Sequence, residues 1–256
     1  MSRCFWCLNE ARGNHIEHIV PEAIGCPPGF TISSEWICVR CNNGLGHLDQ
    51  AVGDDFDFLA LMNGIPRKGN KPPKISSRGN VLGTVETDGP AISFNMGNAP
   101  VTAHDQSELA PYRGRDRDIR ATFDSEGLTG TVSFDVKFGA SRKFVRGIYK
   151  IAFSALGYLV SFEELYREKY NFVRKYVRKG VGDRHILLYP EPDGAYSHHF
   201  GSPIISDPHN YLMSFRLGHI RFFVDLSETE FAYERLKAES EKQLGKKGWT
   251  YLPIDS

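Results

Sequence analysis

Four of the five cysteines form two Cys-x-x-Cys pairs, Cys4/Cys7 and Cys38/Cys41, with about thirty residues between them. Two such pairs supply the four thiolates of a closed tetrahedral zinc site. Cys4, Cys7, Cys38 and Cys41 are therefore the expected ligands of a structural Zn²⁺. Cys26 stands alone in GCPPGF and reads as a loop thiol. Between the pairs runs GNHIEHIVPEAIG, in which His15 and His18 flank Glu17. A zinc ion saturated by four sulfurs has no open position for catalysis. Glu17 and His18 are then free for other chemistry, and a neutral imidazole accepts a proton near neutral pH.

In this order and spacing the pieces resemble the HNH nucleases and their ββα-metal finger. The closest resemblance is to a bacterial subgroup marked by Glu-His-Ile/Val-x-Pro-Glu-x-x-Gly and then Cys-x-x-Cys-Asn-x-x-x-Gly. The matching stretches here are EHIVPEAIG and CVRCNNGLG, and the resemblance covers roughly residues 1–60. It implies a metal-dependent endonuclease that hydrolyses DNA phosphodiester bonds, with a role in restriction, defence or a mobile element. His18 takes the position of the base that activates water. Glu17 and Asn42 take the positions that hold a divalent ion, and their oxygens suit Mg²⁺ or Mn²⁺. Two departures stand out. Many members carry Asp where Glu17 is, and the family's middle Asn, which orients the histidine, is absent. Ser33-Ser34-Glu35 occupy that region, leaving Ser33 or a backbone carbonyl to orient His18.

Other residues near these motifs have competing readings. Asn42 also suits a helix N-cap. Arg40, inside the second cysteine pair, is placed for a phosphate contact. His15 reads as structural or substrate-facing. His47 and Asp49 are either a solvated face or contacts to metal or phosphate.

These residues need elements to position them. The alternation around Ile16–Val20 fits a short strand that stops at Pro21. Leu45, Leu48 and Val52 recur at helical spacing after Cys41, despite the glycines there. RKGNKPPKISSRGN, residues 67–80, reads as a linker or exposed loop. Strand signals follow from about Val81 to Phe138. The period then changes: Phe144, Ile148, Ile151, Ala155 and Leu159 trace one apolar helical face. A second helix is expected from a Ser161/Glu164 capping box to a Gly180 stop. HILLYP and LGHIRFFVDL read as strands, and ETEFAYERLKAESEKQLGKKG as a charged helix or tail. His198-His199 read as an incidental loop pair.

The expected organisation is α+β: an N-terminal zinc-stapled ββα-metal (HNH) finger over residues 1–66, the 67–80 linker, and a mixed strand and helix domain over 81–256. That second part would recognise a target or act as scaffold. Lys and Arg number 31 and so do Asp and Glu, so only local patches speak for nucleic acid. The helices of residues 142–179 carry such a basic excess, Lys150 included. In it Arg167, Arg174 and Arg178 share one face and join Arg40 as expected nucleic-acid contacts, against the plainer reading of a solvated face. DNA is the expected partner, with RNA as the alternative. No apolar run approaches the roughly 18–20 residues that cross a bilayer. MSRCFWC lacks a signal-peptide core, so a cytoplasmic location is expected. Two rival readings are a catalytically inactive zinc-finger nucleic-acid-binding module and a zinc scaffold whose activity lies in residues 80–256.

Overall fold

The computed structural model describes residues 2–63, 65, 141–191, 195–207 and 210–243, together with six strands between residues 74 and 134. The architecture is α+β, with helices set against antiparallel sheets.

Strands β1 (Ile16–His18) and β2 (Thr31–Ser33) pair antiparallel, placing Glu17 opposite Ile32 and His18 opposite Thr31. Pro21 ends the first strand and opens a 3₁₀ turn, Glu22–Ile24. Gly25 closes that turn with φ 88°, a left-handed conformation that favours glycine. Helix α1 (Val39–Met62) begins one residue after Cys38. Its apolar stripe is Leu45, Leu48, Val52 and Phe56, all buried. The chain thus starts as a hairpin followed by a helix.

Two three-stranded antiparallel sheets follow. The first is β3 (Lys74–Ser76), β4 (Leu82–Val85) and β5 (Ile92–Asn95). The second is β6 (Tyr112–Gly114), β7 (Arg117–Phe123) and β8 (Gly130–Phe134). β3 lies within the expected linker, so part of that segment is strand; the rest of residues 67–80 lies outside the described residues.

Helix α2 (Arg142–Leu159) is N-capped by Ser141, whose Oγ accepts the Phe144 N–H at 3.1 Å. Phe144, Ile148, Ile151 and Ala155 are fully buried, as their spacing requires, while Leu159 at the end is exposed. The helix is buried nearly all round, because it is the central element of the molecule.

The next segment departs from expectation. Two 3₁₀ turns, Glu164–Tyr166 and Glu168–Tyr170, precede a short α3 (Asn171–Lys179). Ser161 accepts the Glu163 N–H and engages its carboxylate, so no Ser161/Glu164 capping box forms. Glu164 is buried instead and binds Arg167 at 2.8 Å, Lys169 at 2.9 Å and the Tyr170 hydroxyl at 3.2 Å. Gly180 ends α3 in the left-handed region, as the sequence indicates.

The last sheet joins β9 (Leu187–Pro190), β10 (His199–Phe200), β11 (Ile204–Asp207), β12 (Asn210–Leu217) and β13 (Ile220–Asp225). Its order is β10-β12-β13-β9, with β11 also on β12. Helix α4 (Phe231–Gln243) is anchored by the buried Asp225, whose Oδ2 accepts the N–H groups of Ala232 and Tyr233 at 2.7 and 3.0 Å. The expected tail beyond Gln243 lies outside the described residues.

The core does not stop at residue 66. Phe56 of α1, Phe144 of α2 and Phe222 of β13 meet with ring centroids 6.2–6.5 Å apart, inside one buried cluster that runs from Cys4 to Leu226. Burying each such ring is worth about 1.5–3 kcal/mol, so the hairpin–helix unit takes much of its stability from the elements that follow it.

Candidate functional site

The Sγ atoms of Cys4, Cys7, Cys38 and Cys41 all lie within 4.8 Å of one another. Those of Cys7 and Cys38 are 3.7 Å apart. Tetrahedral zinc with Zn–S bonds of about 2.3 Å sets sulfurs about 3.8 Å apart, so the four thiols are spaced to share one metal ion. Local backbone builds each half. The first knuckle closes through Leu8 N–H to Cys4 O and Cys4 N–H to Asn9 O, both at 2.8 Å, with Leu8 itself at φ 64°. The second is the first turn of α1, where Asn42 N–H reaches Cys38 O at 2.9 Å. A hydrogen bond with Cys41 holds the Cys4 thiol down at about 5, and the same sharing drives Cys41 up. Sulfurs this close cannot all ionise without a cation among them. Cys26 stays apart, half-buried against the Pro27 and Phe30 carbonyls.

The knuckle is gripped by α2, α3 and a 3₁₀ turn between them. Trp6 packs edge-on to Phe153 at 5.3 Å, and Arg178 donates to Trp6 O at 3.3 Å. Tyr166 donates its hydroxyl to Arg3 O.

Glu17 and His18 line a cleft of about 370 Å³ with Glu22 of the 3₁₀ turn and Asp49, Gln50 and Asp57 of α1. In β1 the usual alternation is inverted: Ile16 is 64% exposed and Glu17 is buried at 8%. A strand that turns its carboxylate inward needs a cation to receive it. Lys150 of α2 is that cation. Its Nζ, 1% exposed, contacts Glu17 Oε1 and bonds the Asp49 carboxylate at 2.6 and 2.7 Å. The approach depends on Gly147, one turn earlier on α2. A Cβ there would sit 2.5 Å from Val52 Cγ2 and 3.0 Å from Leu48 O. With glycine the two helices close up, and Lys150 reaches Asp49, the residue after Leu48.

Burial pushes the Glu17 carboxyl up, and the Lys150 charge pulls it partly back. Burial alone would lower Lys150, but Asp49 and Glu17 together outweigh it and raise the ammonium. Sequence reasoning had counted Lys150 among surface charges. Its only local signal was a lysine beside Ile148 and Ile151 on a face otherwise apolar.

His18 is half-buried, with Nε2 3.5 Å from Glu22 Oε1. Glu22, not Ser33, faces it: Ser33 stands opposite Ile16 at the other end of the hairpin. Asn42 lies inside the first turn of α1 rather than at its N-cap, and is not among the residues lining the cleft. Its Oδ1 is buried and accepts no hydrogen bond. His15 buries both ring nitrogens with no partner among the described residues, away from the cleft lining. Among the described residues His47 makes a local contact, Nδ1 to Gly44 O at 3.0 Å.

The expected basic stripe comes apart. Arg174 is buried, and its guanidinium is held by the carbonyls of Leu165 and Arg167 and by Asn171 Oδ1. It is unable to reach a phosphate. Arg167 is exposed but paired to Glu164, while Arg40 and Arg178 are exposed. His198 is not incidental: Nε2 donates to Ile24 O at 2.7 Å and Nδ1 accepts from Gly218 N–H at 3.3 Å. With Tyr196, whose hydroxyl reaches the same carbonyl at 3.0 Å, it clasps the turn that carries Glu22.

Comparison with family models, with curated proteins and with solved structures finds no match.

Proposed function

We propose that this chain is a metal-dependent endonuclease of the HNH type, hydrolysing phosphodiester bonds in DNA, with Cys4, Cys7, Cys38 and Cys41 holding a structural zinc ion. The observation that carries the reading is the meeting of Glu17, His18 and Asp49 in one cleft, on a hairpin and helix stapled by four thiols. The hairpin-then-helix order and the motifs EHIVPEAIG and CVRCNNGLG support it from the sequence side.

His18, on the cleft wall, takes the proton of the attacking water at Nδ1. Its Nε2 is turned toward Glu22, whose carboxylate stabilises the imidazolium that results. The water oxygen attacks phosphorus, the bond to the 3′ oxygen breaks, and that oxygen collects a proton from solvent.

The residues fit a hard divalent ion, Mg²⁺ or Mn²⁺. Glu17 and Asp49 bring carboxylate oxygens to the cleft, Asn42 Oδ1 is a buried acceptor with no partner among the described residues, and oxygen donors of this kind suit such an ion. Glu17 and Asp49 would hold it in the cleft, whereas Asn42, which the family resemblance assigns to the same ion, lies outside the cleft lining. When bound, the ion supplies charge relief for the phosphate and the leaving oxygen. Electrostatics favours this dependence. Four carboxylates line the cleft, with one buried ammonium beneath them, so a phosphodiester needs added positive charge to enter.

The test is plasmid nicking by the zinc-loaded protein with Mg²⁺ or Mn²⁺, with EDTA and His18→Ala as controls. Cleavage abolished by both controls supports the reading. No cleavage of any DNA or RNA by the wild type overturns it. One observation favours a second reading, a non-catalytic nucleic-acid-binding zinc module: the Glu17 carboxylate is already ion-paired to Lys150. DNA binding by the zinc-loaded protein in Mg²⁺-free buffer, without cleavage when Mg²⁺ is added, would favour it.

A further inference from the structure

We propose that Lys150 is a positioning residue that sets the divalent-ion affinity of the cleft, by holding a permanent positive charge against the Glu17 and Asp49 carboxylates. The proposal rests on the reading of Glu17 and Asp49 as cation ligands. It does not rest on nuclease activity.

The geometry is that of an internal counter-ion. Lys150 comes from α2, outside the hairpin–helix unit, and its side chain is 1% exposed. Nζ touches oxygens of two carboxylates on two different elements, Glu17 on β1 and Asp49 on α1. Both Asp49 oxygens accept hydrogen bonds from it, at 2.7 and 2.6 Å. Glu17 Oε1 lies in direct ion-pair contact with the same ammonium. One ammonium thus serves both carboxylates, Asp49 through both of its oxygens and Glu17 through Oε1. Its position is fixed by the Gly147 approach of α2 to α1, so it has little room to withdraw.

A dication bound by Glu17 and Asp49 must share their charge with this ammonium and is repelled by it at ion-pair range. A buried and a half-buried carboxylate side by side, with no lysine between them, would need a cation far more. Lys150 thus trades metal affinity for a preassembled pair: the two carboxylates keep their spacing before any ion arrives.

The experiment is Mn²⁺ binding to the full-length, zinc-loaded chain, followed by electron paramagnetic resonance. Lys150→Met is expected to bind one Mn²⁺ roughly tenfold more tightly than wild type, while Lys150→Arg stays near wild type. The gain should vanish in Glu17→Gln/Lys150→Met. A purely structural lysine predicts the opposite, since truncation would let the carboxylates splay. Unchanged or weaker binding in folded Lys150→Met, a gain that survives Glu17→Gln, or no Mn²⁺ binding by either protein overturns the proposal. If Lys150→Met fails to fold, the wild type still decides. The Lys150 side-chain ¹⁵N–¹H signal should shift saturably as Mg²⁺ is added, and a signal that never moves overturns it. Tightened Mn²⁺ binding in a chain that cuts no nucleic acid upholds this proposal and removes the nuclease reading alone.

Discussion

Lys150 donates to both carboxylate oxygens of Asp49, at 2.7 and 2.6 Å, joining two helices across 101 residues of sequence. The bond is buried on the lysine side and half-buried on the aspartate side. It couples the folding of α2 to the shape of the cleft. A surface lysine changes stability by about 0.5 kcal/mol at most when replaced, whereas breaking a buried pair costs about 3–5 kcal/mol. Lys150→Met should fall in the second range in urea denaturation, with Lys150→Arg losing much less. A loss within the surface range would contradict the buried geometry.

The cysteine cluster predicts a metal stoichiometry. Purified protein should carry one zinc per chain. Cys38→Ser should lose it, with a marked drop in melting temperature, because the second knuckle begins α1. Cys26→Ser should keep the metal, since Cys26 stands apart from the four clustered thiols, against the carbonyls of Pro27 and Phe30. Thiolates must shed protons to bind zinc, so release should increase as pH falls. Elemental analysis across a pH series, with a thermal melt of Cys38→Ser, checks these statements.

His198 predicts an acid limb of stability. Its two partners require one neutral tautomer, Nε2–H donating to Ile24 O and bare Nδ1 accepting from Gly218 N–H. Protonation would set a second N–H against the Gly218 N–H. Burial first, then the Arg216 charge, depress its folded value below the usual 6.5, while its contacts at Ile24 and Gly25 resist. The unfolded chain thus binds the proton more readily. The stabilisation is complete above 6.5 and is lost as pH falls from there through the lowered folded value. His198→Gln, whose amide still donates to Ile24 O, should flatten this limb in chemical denaturation between neutral and acid pH.

The sequence made the parts legible that depend on local rules. The cysteine spacing, the strand at Glu17, the α2 stripe and the Gly180 stop all follow from periodicity or from one residue's conformational preference. Tertiary demands hid the rest. Lys150 looked like a surface charge, because only the crossing at Gly147 shows that it points at carboxylates from another segment. Arg174 sat on a reasonable basic stripe until the 3₁₀ turns shifted the register and turned it toward the carbonyls of Leu165 and Arg167. Glu22 was visible in the motif, but that it faces His18 depends on the turn closed by Gly25. Strand β12 escaped notice because its apolar residues Leu212, Met213, Phe215 and Leu217 do not alternate cleanly.

On the proposed nuclease reading, Arg40 and Arg174 should respond differently to DNA. Arg40 is exposed between the two cysteines of the second knuckle, at the start of α1. A phosphate contact there is sequence-independent and salt-sensitive. Arg40→Ala should weaken DNA binding across sequences and lower the salt slope by about 1 in fluorescence anisotropy, with stability unchanged. Arg174→Ala should do the reverse. It removes a buried guanidinium and leaves the Leu165 and Arg167 carbonyls without their donor, which costs about 1–3 kcal/mol for each group left unpaired. At temperatures where the variant remains folded, its salt slope should equal that of wild type. A reduced salt slope in Arg174→Ala, with stability intact, would place that arginine at the surface and restore the basic stripe that the sequence first implied.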